Sequence, residues 1–151
     1  SRMEFVHCNN IIYRDLKPEN ILLNDYFFPK ISDFGLSKIF DPNNRSNQTM
    51  HSATPQYMAP EMLKNEDYNE SVDVFSFGII IYDIITEKYL YSNISNCFVI
   101  PHLVLKGCRL EFPPDKKIYP KIKELIEKCW SQNPSNRPSF RRFSMNLKMK
   151  K

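Results

Sequence analysis

Eight consecutive residues, Tyr13-Arg14-Asp15-Leu16-Lys17-Pro18-Glu19-Asn20, followed thirteen residues later by Asp33-Phe34-Gly35, constrain this chain more than any other feature. They supply two carboxylates (Asp15 and Asp33), one ammonium (Lys17) and one amide (Asn20) from a short stretch of chain. Hard oxygen donors of this kind suit Mg²⁺. A Lys ammonium 4 Å from an anion is worth about 4 kcal/mol where the effective dielectric is about 20. Around these groups Ile11, Ile12 and Tyr13, then Ile21, Leu22 and Leu23 closed by Asn24-Asp25, and then Lys30-Ile31-Ser32 read as short strands bounded by turn residues. A single Asp on a turn is usually a cap or an Asx-turn, so only the joint pattern carries weight.

The remainder reads as mainly helical. From Val72 to Ile85 nearly every position is apolar except Asp73, Ser76, Gly78 and Asp83, which predicts a central helix that is hydrophobic all round. Ile122, Leu125, Ile126, Cys129 and Trp130 recur at three and four residues, with Glu124 and Lys128 paired at i,i+4 on the outer side. Asn133-Pro134 ends that helix, and Ser139 is placed to cap a last one carrying Phe140, Phe143 and Leu147. Residues 36 to 58 hold Pro42, three Asn and several Ser and Thr without a sustained period, the signature of a long loop.

Composition narrows the class. A chain of 151 residues is expected to form one domain, and at this size a fold buries roughly 68–70 % of its unfolded surface. A formal charge of +4 with Lys and Arg interspersed among acids argues against a nucleic-acid surface. Cys8, Cys97, Cys108 and Cys129 show neither C-x-x-C spacing nor nearby His at zinc spacing, so they are expected to be reduced and mostly buried. The stretch Phe75 to Ile85 is too short to span a bilayer, no signal core opens the chain, and the expected location is cytoplasmic.

The motifs continue in order. Ala53-Thr54-Pro55-Gln56-Tyr57-Met58 precedes Ala59-Pro60-Glu61, whose Glu lies 28 residues after Asp33. Asp73-Val74-Phe75-Ser76-Phe77-Gly78 and Arg137-Pro138 follow. With these the chain resembles the catalytic domain of eukaryotic-type protein kinases over essentially its whole length, and in particular their C-terminal lobe. The fold implied is α+β and mainly helical, with short strands around the catalytic loop. The resemblance implies a catalytic loop at 13–20, an activation segment at 33–61 and a helical subdomain at 62–148.

Site roles follow from the same resemblance. Asp15 is the expected catalytic base, Lys17 the cation beside the transferred phosphate, and Asn20 and Asp33 the ligands of Mg²⁺ that accompany ATP. Thr54 is expected beside Asp15 and Lys17, Asp73 on backbone amides of the catalytic loop, and Glu61 in a buried ion pair with Arg137. Arg14 is expected to leave an unpaired cation facing the loop after Asp33, which makes Thr49, then Ser52, the candidate phosphorylation sites. Lys17-Pro18-Glu19 and Thr54 are similar to Ser/Thr kinases, whereas Ser76-Phe77-Gly78, Cys129-Trp130 and Arg137-Pro138-Ser139-Phe140 are similar to the tyrosine-kinase-like group. Tyr13 stands where most members have His, and Ala53 where Gly is usual.

No G-x-G-x-x-G loop, no V-A-I-K-like Lys and no partner Glu occur in these 151 residues. The expectation is therefore an N-terminal lobe supplied from outside this segment, protein substrates for the whole enzyme, and no ATP turnover by the segment alone. The helix that precedes the catalytic loop in the family is mostly missing from these residues, so part of the apolar surface of residues 72 to 85 is expected to be exposed. The competing reading is a catalytically inactive kinase-like lobe that serves as a protein-interaction module.

Overall fold

The structure, a computed structural model, describes residues 2–39, 54–88, 90–92 and 94–143. Its helices are α1 (Arg2–Cys8), α2 (Pro60–Leu63), α3 (Ser71–Thr86), α4 (Ile100–Leu105) and α5 (Pro120–Cys129). Its strands are β1 (Ile11–Ile12), β2 (Ile21–Leu23), β3 (Pro29–Ile31) and β4 (Lys38–Ile39), with 3₁₀ turns at Pro18–Asn20, Pro55–Tyr57, Cys97–Val99 and Pro134–Asn136. The fold is thus α+β and mainly helical. Residues 36 to 58 do not form one uninterrupted loop, because β4 pairs with β1 and Pro55–Tyr57 coils. A strand of two residues is too short to leave a period in the sequence.

The core is built on α3. Val72, Val74, Phe75 and Ile79 are essentially inaccessible, and α5 lies against the same helix through Ile126 and Cys129. The two helices approach closely at Gly78, where a Cβ would stand 2.7 Å from the Cβ of Cys129. That contact explains a glycine in the middle of a helix, which otherwise costs about 1 kcal/mol relative to Ala. The helix stops where Glu87 turns left-handed at φ 53° and donates its N–H to the Asp83 carbonyl at 2.9 Å. Tyr82, Phe112 and Trp130 close one side as a ring cluster with centroids 5.5–5.7 Å apart. Tyr82 donates its hydroxyl to the Glu111 carbonyl at 2.7 Å.

Two expectations are corrected by the burial pattern. Only Cys129 is buried, and burial pushes its thiol up to about 12; Cys8, Cys97 and Cys108 are exposed. Cys97 and Cys108 flank α4 rather than facing the core, and Cys8 sits on the outer side of α1. The central helix is also well covered, with Ile84 its one large apolar side chain among the markedly exposed residues. The densest group of exposed apolar side chains is on the β2–β3 hairpin, at Leu22, Leu23, Tyr26, Phe27 and Phe28.

Candidate active site

The register of β2 against β3 assembles the first part of the site. Ile21 pairs with Ile31, so Asn20 and Ser32 fall side by side at the end of the ladder. The Asn20 carbonyl accepts from the Ser32 N–H at 3.0 Å and from its hydroxyl at 3.2 Å. Asn20 at the end of the 3₁₀ turn Pro18–Asn20 and Asp33 after the hairpin are thereby held at one end of the sheet. Asp33 takes a left-handed backbone, φ 55°, and its Oδ1 accepts the N–H of Gly35 at 3.1 Å. A Cβ on Gly35 would come within 3.0 Å of that oxygen, which accounts for glycine there.

Within the loop the buried Asp15 carboxylate gathers the other groups. Its Oδ2 lies 3.0 Å from the Lys17 ammonium and accepts from the Asn20 amide at 3.0 Å. Asn20 donates also to the Asp15 carbonyl at 2.8 Å. Both bonds use the side-chain amide nitrogen and leave the side-chain oxygen, Asn20 Oδ1, available to a cation. Lys17 reaches on to the Thr54 hydroxyl at 3.3 Å, which ties the loop to the chain ahead of Pro55–Tyr57. Asp15, Lys17, Asn20 and Thr54 therefore form one continuous hydrogen-bonded set.

Asp73 on α3 fixes the loop from below. Its Oδ2 accepts the N–H of Tyr13 and its Oδ1 that of Arg14, each at 2.8 Å. Arg14 sits at φ 72°, a conformation that costs a non-glycine residue about 1–2 kcal/mol. The fully buried Asp73 carboxylate offsets that strain with two charge-assisted bonds. His7 places Nε2 2.9 Å from the same Asp73 Oδ2. The sequence reading missed His7, although it lies four residues after the buried Met3 on the inner stripe of α1. An imidazole thus reaches the loop from α1, while Tyr13 fills position 13, bonds through its hydroxyl to the Ser32 carbonyl and packs edge-on against Phe34. Burial, with Asp15 and Asp33 nearby, pushes the Tyr13 phenol up to about 12.

Arg14 is not an unpaired cation. Its Nε donates to the Leu36 carbonyl at 2.5 Å and its Nη1 to the Tyr68 hydroxyl at 3.2 Å, because the left-handed backbone turns the side chain back towards the residues after Asp33. Thr49 and Ser52 lie outside the described residues. Farther out, Glu61 and Arg137 form a bidentate pair at 2.5 and 2.9 Å, both buried. Arg137 adds bonds to the carbonyls of Ser131 (2.9 Å) and Ser71 (3.2 Å). Its guanidinium and that of Arg109 each lie 5.1 Å from the Phe75 ring. Ser76 donates to the Tyr57 carbonyl at 2.7 Å, a second link from α3 to the segment before α2.

Among the described residues no three His, Cys, Asp or Glu side chains converge as a closed metal site. An amide oxygen and one carboxylate suit Mg²⁺, which usually keeps water and phosphate oxygens for most of its positions. The donor set at Asn20 and Asp33 fits that pattern.

A sequence model of the protein kinase domain matches residues 1–147. The RGS domain-containing serine/threonine-protein kinase A of Dictyostelium discoideum is 44 % identical over 138 residues, which are 91 % of this chain and 12 % of the relative. The dual specificity protein kinase shkB of the same organism is 37 % identical over 145 residues, 94 % of this chain and 22 % of the relative. The serine/threonine-protein kinase CTR1 of Arabidopsis thaliana is 36 % identical over 140 residues, 91 % of this chain and 17 % of the relative. The chain thus spans 12–22 % of the length of these three relatives. The match runs along nearly the whole segment, and the chain belongs to the protein kinase family.

Proposed function

We propose that the protein carrying this chain transfers the γ-phosphoryl group of Mg-ATP to Ser or Thr hydroxyls of protein substrates. The observation that carries this reading is the set Asp15–Lys17–Asn20–Thr54, in which a carboxylate, an ammonium and an amide are interlocked at 3.0–3.3 Å beside Asp33. Asp15 orients the acceptor hydroxyl and takes its proton on Oδ. Lys17, held between Asp15 and Thr54, offers positive charge where negative charge develops. Asn20 and Asp33 would hold Mg²⁺ through oxygen. Bound Mg-ATP supplies the transferable phosphoryl group. Asp73 and His7 position the loop without touching substrate, and Glu61 with Arg137 anchors the chain after Thr54.

On this reading residues 13–20 are the catalytic loop, 33–61 the activation segment and 62–148 the helical base. The Ser/Thr preference rests on Lys17-Pro18-Glu19 and Thr54 and on the names of the relatives. A cytoplasmic location fits the four free cysteines. Among the described residues no helix is long and apolar enough to cross a membrane.

The test is phosphoryl transfer by the full-length protein. Asp15→Asn should lower kcat about 10²- to 10⁴-fold, the range for loss of a positioned acid–base group, and Asp33→Asn should abolish transfer by removing a carboxylate ligand of Mg²⁺. Unchanged turnover in either variant sinks the assignment.

A further inference from the structure

Arg14 stands directly before Asp15 with a left-handed backbone, φ 72°, which a long side chain adopts only where its surroundings hold it there. Relaxation at this residue would rotate the peptide that leads into Asp15 and carry the carboxylate with it. The backbone N–H is held by Asp73 Oδ1 at 2.8 Å. That bond fixes one side of the residue and leaves the side chain to fix the other.

The guanidinium reaches two separate segments. Its Nε donates to the Leu36 carbonyl at 2.5 Å, and its Nη1 donates to the Tyr68 hydroxyl at 3.2 Å. The bond to Leu36 has company: Tyr13 donates its hydroxyl to the Ser32 carbonyl, the Ser37 hydroxyl donates to the Tyr13 carbonyl at 3.4 Å, and Ile12 pairs with Lys38. The chain around Asp33 is thus laid along residues 12 to 14 at several points. The bond to Tyr68 comes from a third place, the segment between α2 and α3. A flat guanidinium fork serves both acceptors at once, which a Lys ammonium does not do with fixed geometry.

Tyr68 is itself firmly placed. Asn65 turns left-handed at φ 54° after α2, and Glu66 donates its N–H back to the Glu61 carbonyl at 3.0 Å. Asn69 Oδ1 accepts the N–H of Ser71 at 3.0 Å and opens α3. Between these two turns the half-buried ring of Tyr68 packs against the core, while Asp67 and Asn69 on either side are exposed. A hydroxyl carried on a packed ring with few rotatable bonds is aimed at little entropic cost.

We propose that Tyr68 is a positioning residue for phosphoryl transfer: its hydroxyl holds the Arg14 guanidinium, and through Arg14 it keeps Asp15 in register with the chain around Asp33. The inference rests on the kinase reading above and adds to it a residue that touches neither substrate nor nucleotide.

The experiment is Tyr68→Phe in the full-length protein, assayed with Mg-ATP and a generic protein acceptor, with rates taken per folded enzyme. The substitution keeps the packed ring and removes only the hydroxyl. It should lower kcat about three- to tenfold, the equivalent of one hydrogen bond, and leave both KM values within about twofold of wild type. Arg14→Met should lower kcat as well, and adding Tyr68→Phe to it should cost less than about twofold more, because the hydroxyl has already lost its partner. Arg14→Lys, which keeps the charge but not the fork, closes the same cycle where Arg14→Met does not fold. A wild-type kcat in Tyr68→Phe, a loss that follows only the folded fraction, or a loss that adds in full to that of the Arg14 variant overturns the positioning role alone. Absence of transfer by the wild-type protein to every peptide and protein acceptor overturns the kinase reading and the positioning role with it.

Discussion

Around α3 the buried carboxylates Asp73 and Glu61 find partners: Asp73 meets two backbone amides and an imidazole, and Glu61 meets Arg137 through both oxygens. The β2–β3 hairpin does the opposite with its apolar groups, leaving Leu22, Leu23, Tyr26, Phe27 and Phe28 54–81 % exposed. Both regions position groups of the candidate site, but by different means. The helical base acts through side chains, with Asp73 reaching up to the loop, Ser76 to the segment before α2 and Arg137 to Glu61 on α2. The hairpin acts through its backbone register, which sets Asn20 beside Ser32 and so beside Asp33. Side-chain changes should therefore be costly in the base and nearly free on the hairpin.

The comparison breaks most visibly at the ion pair. Glu61→Gln or Arg137→Met leaves one buried charge uncompensated and is expected to lower stability by about 3–5 kcal/mol. Urea unfolding of the full-length protein measures it. A loss under about 1 kcal/mol, the scale of an exposed pair, would mean that the base tolerates side-chain loss as the hairpin does.

A smaller effect is expected at the α3–α5 contact. Gly78→Ala puts a methyl 2.7 Å from the Cys129 Cβ and 3.3 Å from the Trp130 nitrogen, neither of which is the free end of a flexible side chain. Overpacking of this kind costs about 1–3 kcal/mol. On an exposed helix the same change would stabilise by about 1 kcal/mol, through propensity. The sign of the shift in unfolding midpoint therefore decides whether the two helices are as tightly seated as the distances say.

The two regions also differ in how far they could be read beforehand. The base was legible as period: the apolar run at 72–85 became α3, and the three-and-four spacing from Ile122 became α5 with Glu124 and Lys128 2.6 Å apart outside. The loop groups were legible only as motif, since nothing in local propensity brings Asp15, Lys17 and Asn20 together with Thr54 across 34 residues. What escaped was tertiary. β4 is two residues long, the exposed cysteines depend on how α1 and α4 sit, and the bonds of Arg14 follow from a left-handed backbone that sequence does not announce.

The hairpin tip offers the smallest and sharpest contrast. Phe27 is 81 % exposed and sits at φ 58°, where a bulky side chain costs about 1–2 kcal/mol and Asn is tolerated far better. The turn itself does not use the ring. The Phe27 N–H donates to the Asn24 carbonyl at 2.8 Å, and Asn24 Oδ1 accepts from Tyr26 and Phe28 at 3.1 and 2.8 Å. Phe27→Asn keeps these bonds, removes little buried area and relieves the backbone. It is expected to leave stability unchanged or raise it by up to about 1 kcal/mol, with kcat unaltered, because the register of Ile21 against Ile31 does not depend on the ring. A loss of more than about 1 kcal/mol in the same urea measurement would show that the exposed ring is packed against another part of the full-length protein, and the hairpin would then join the base as a region held by side chains.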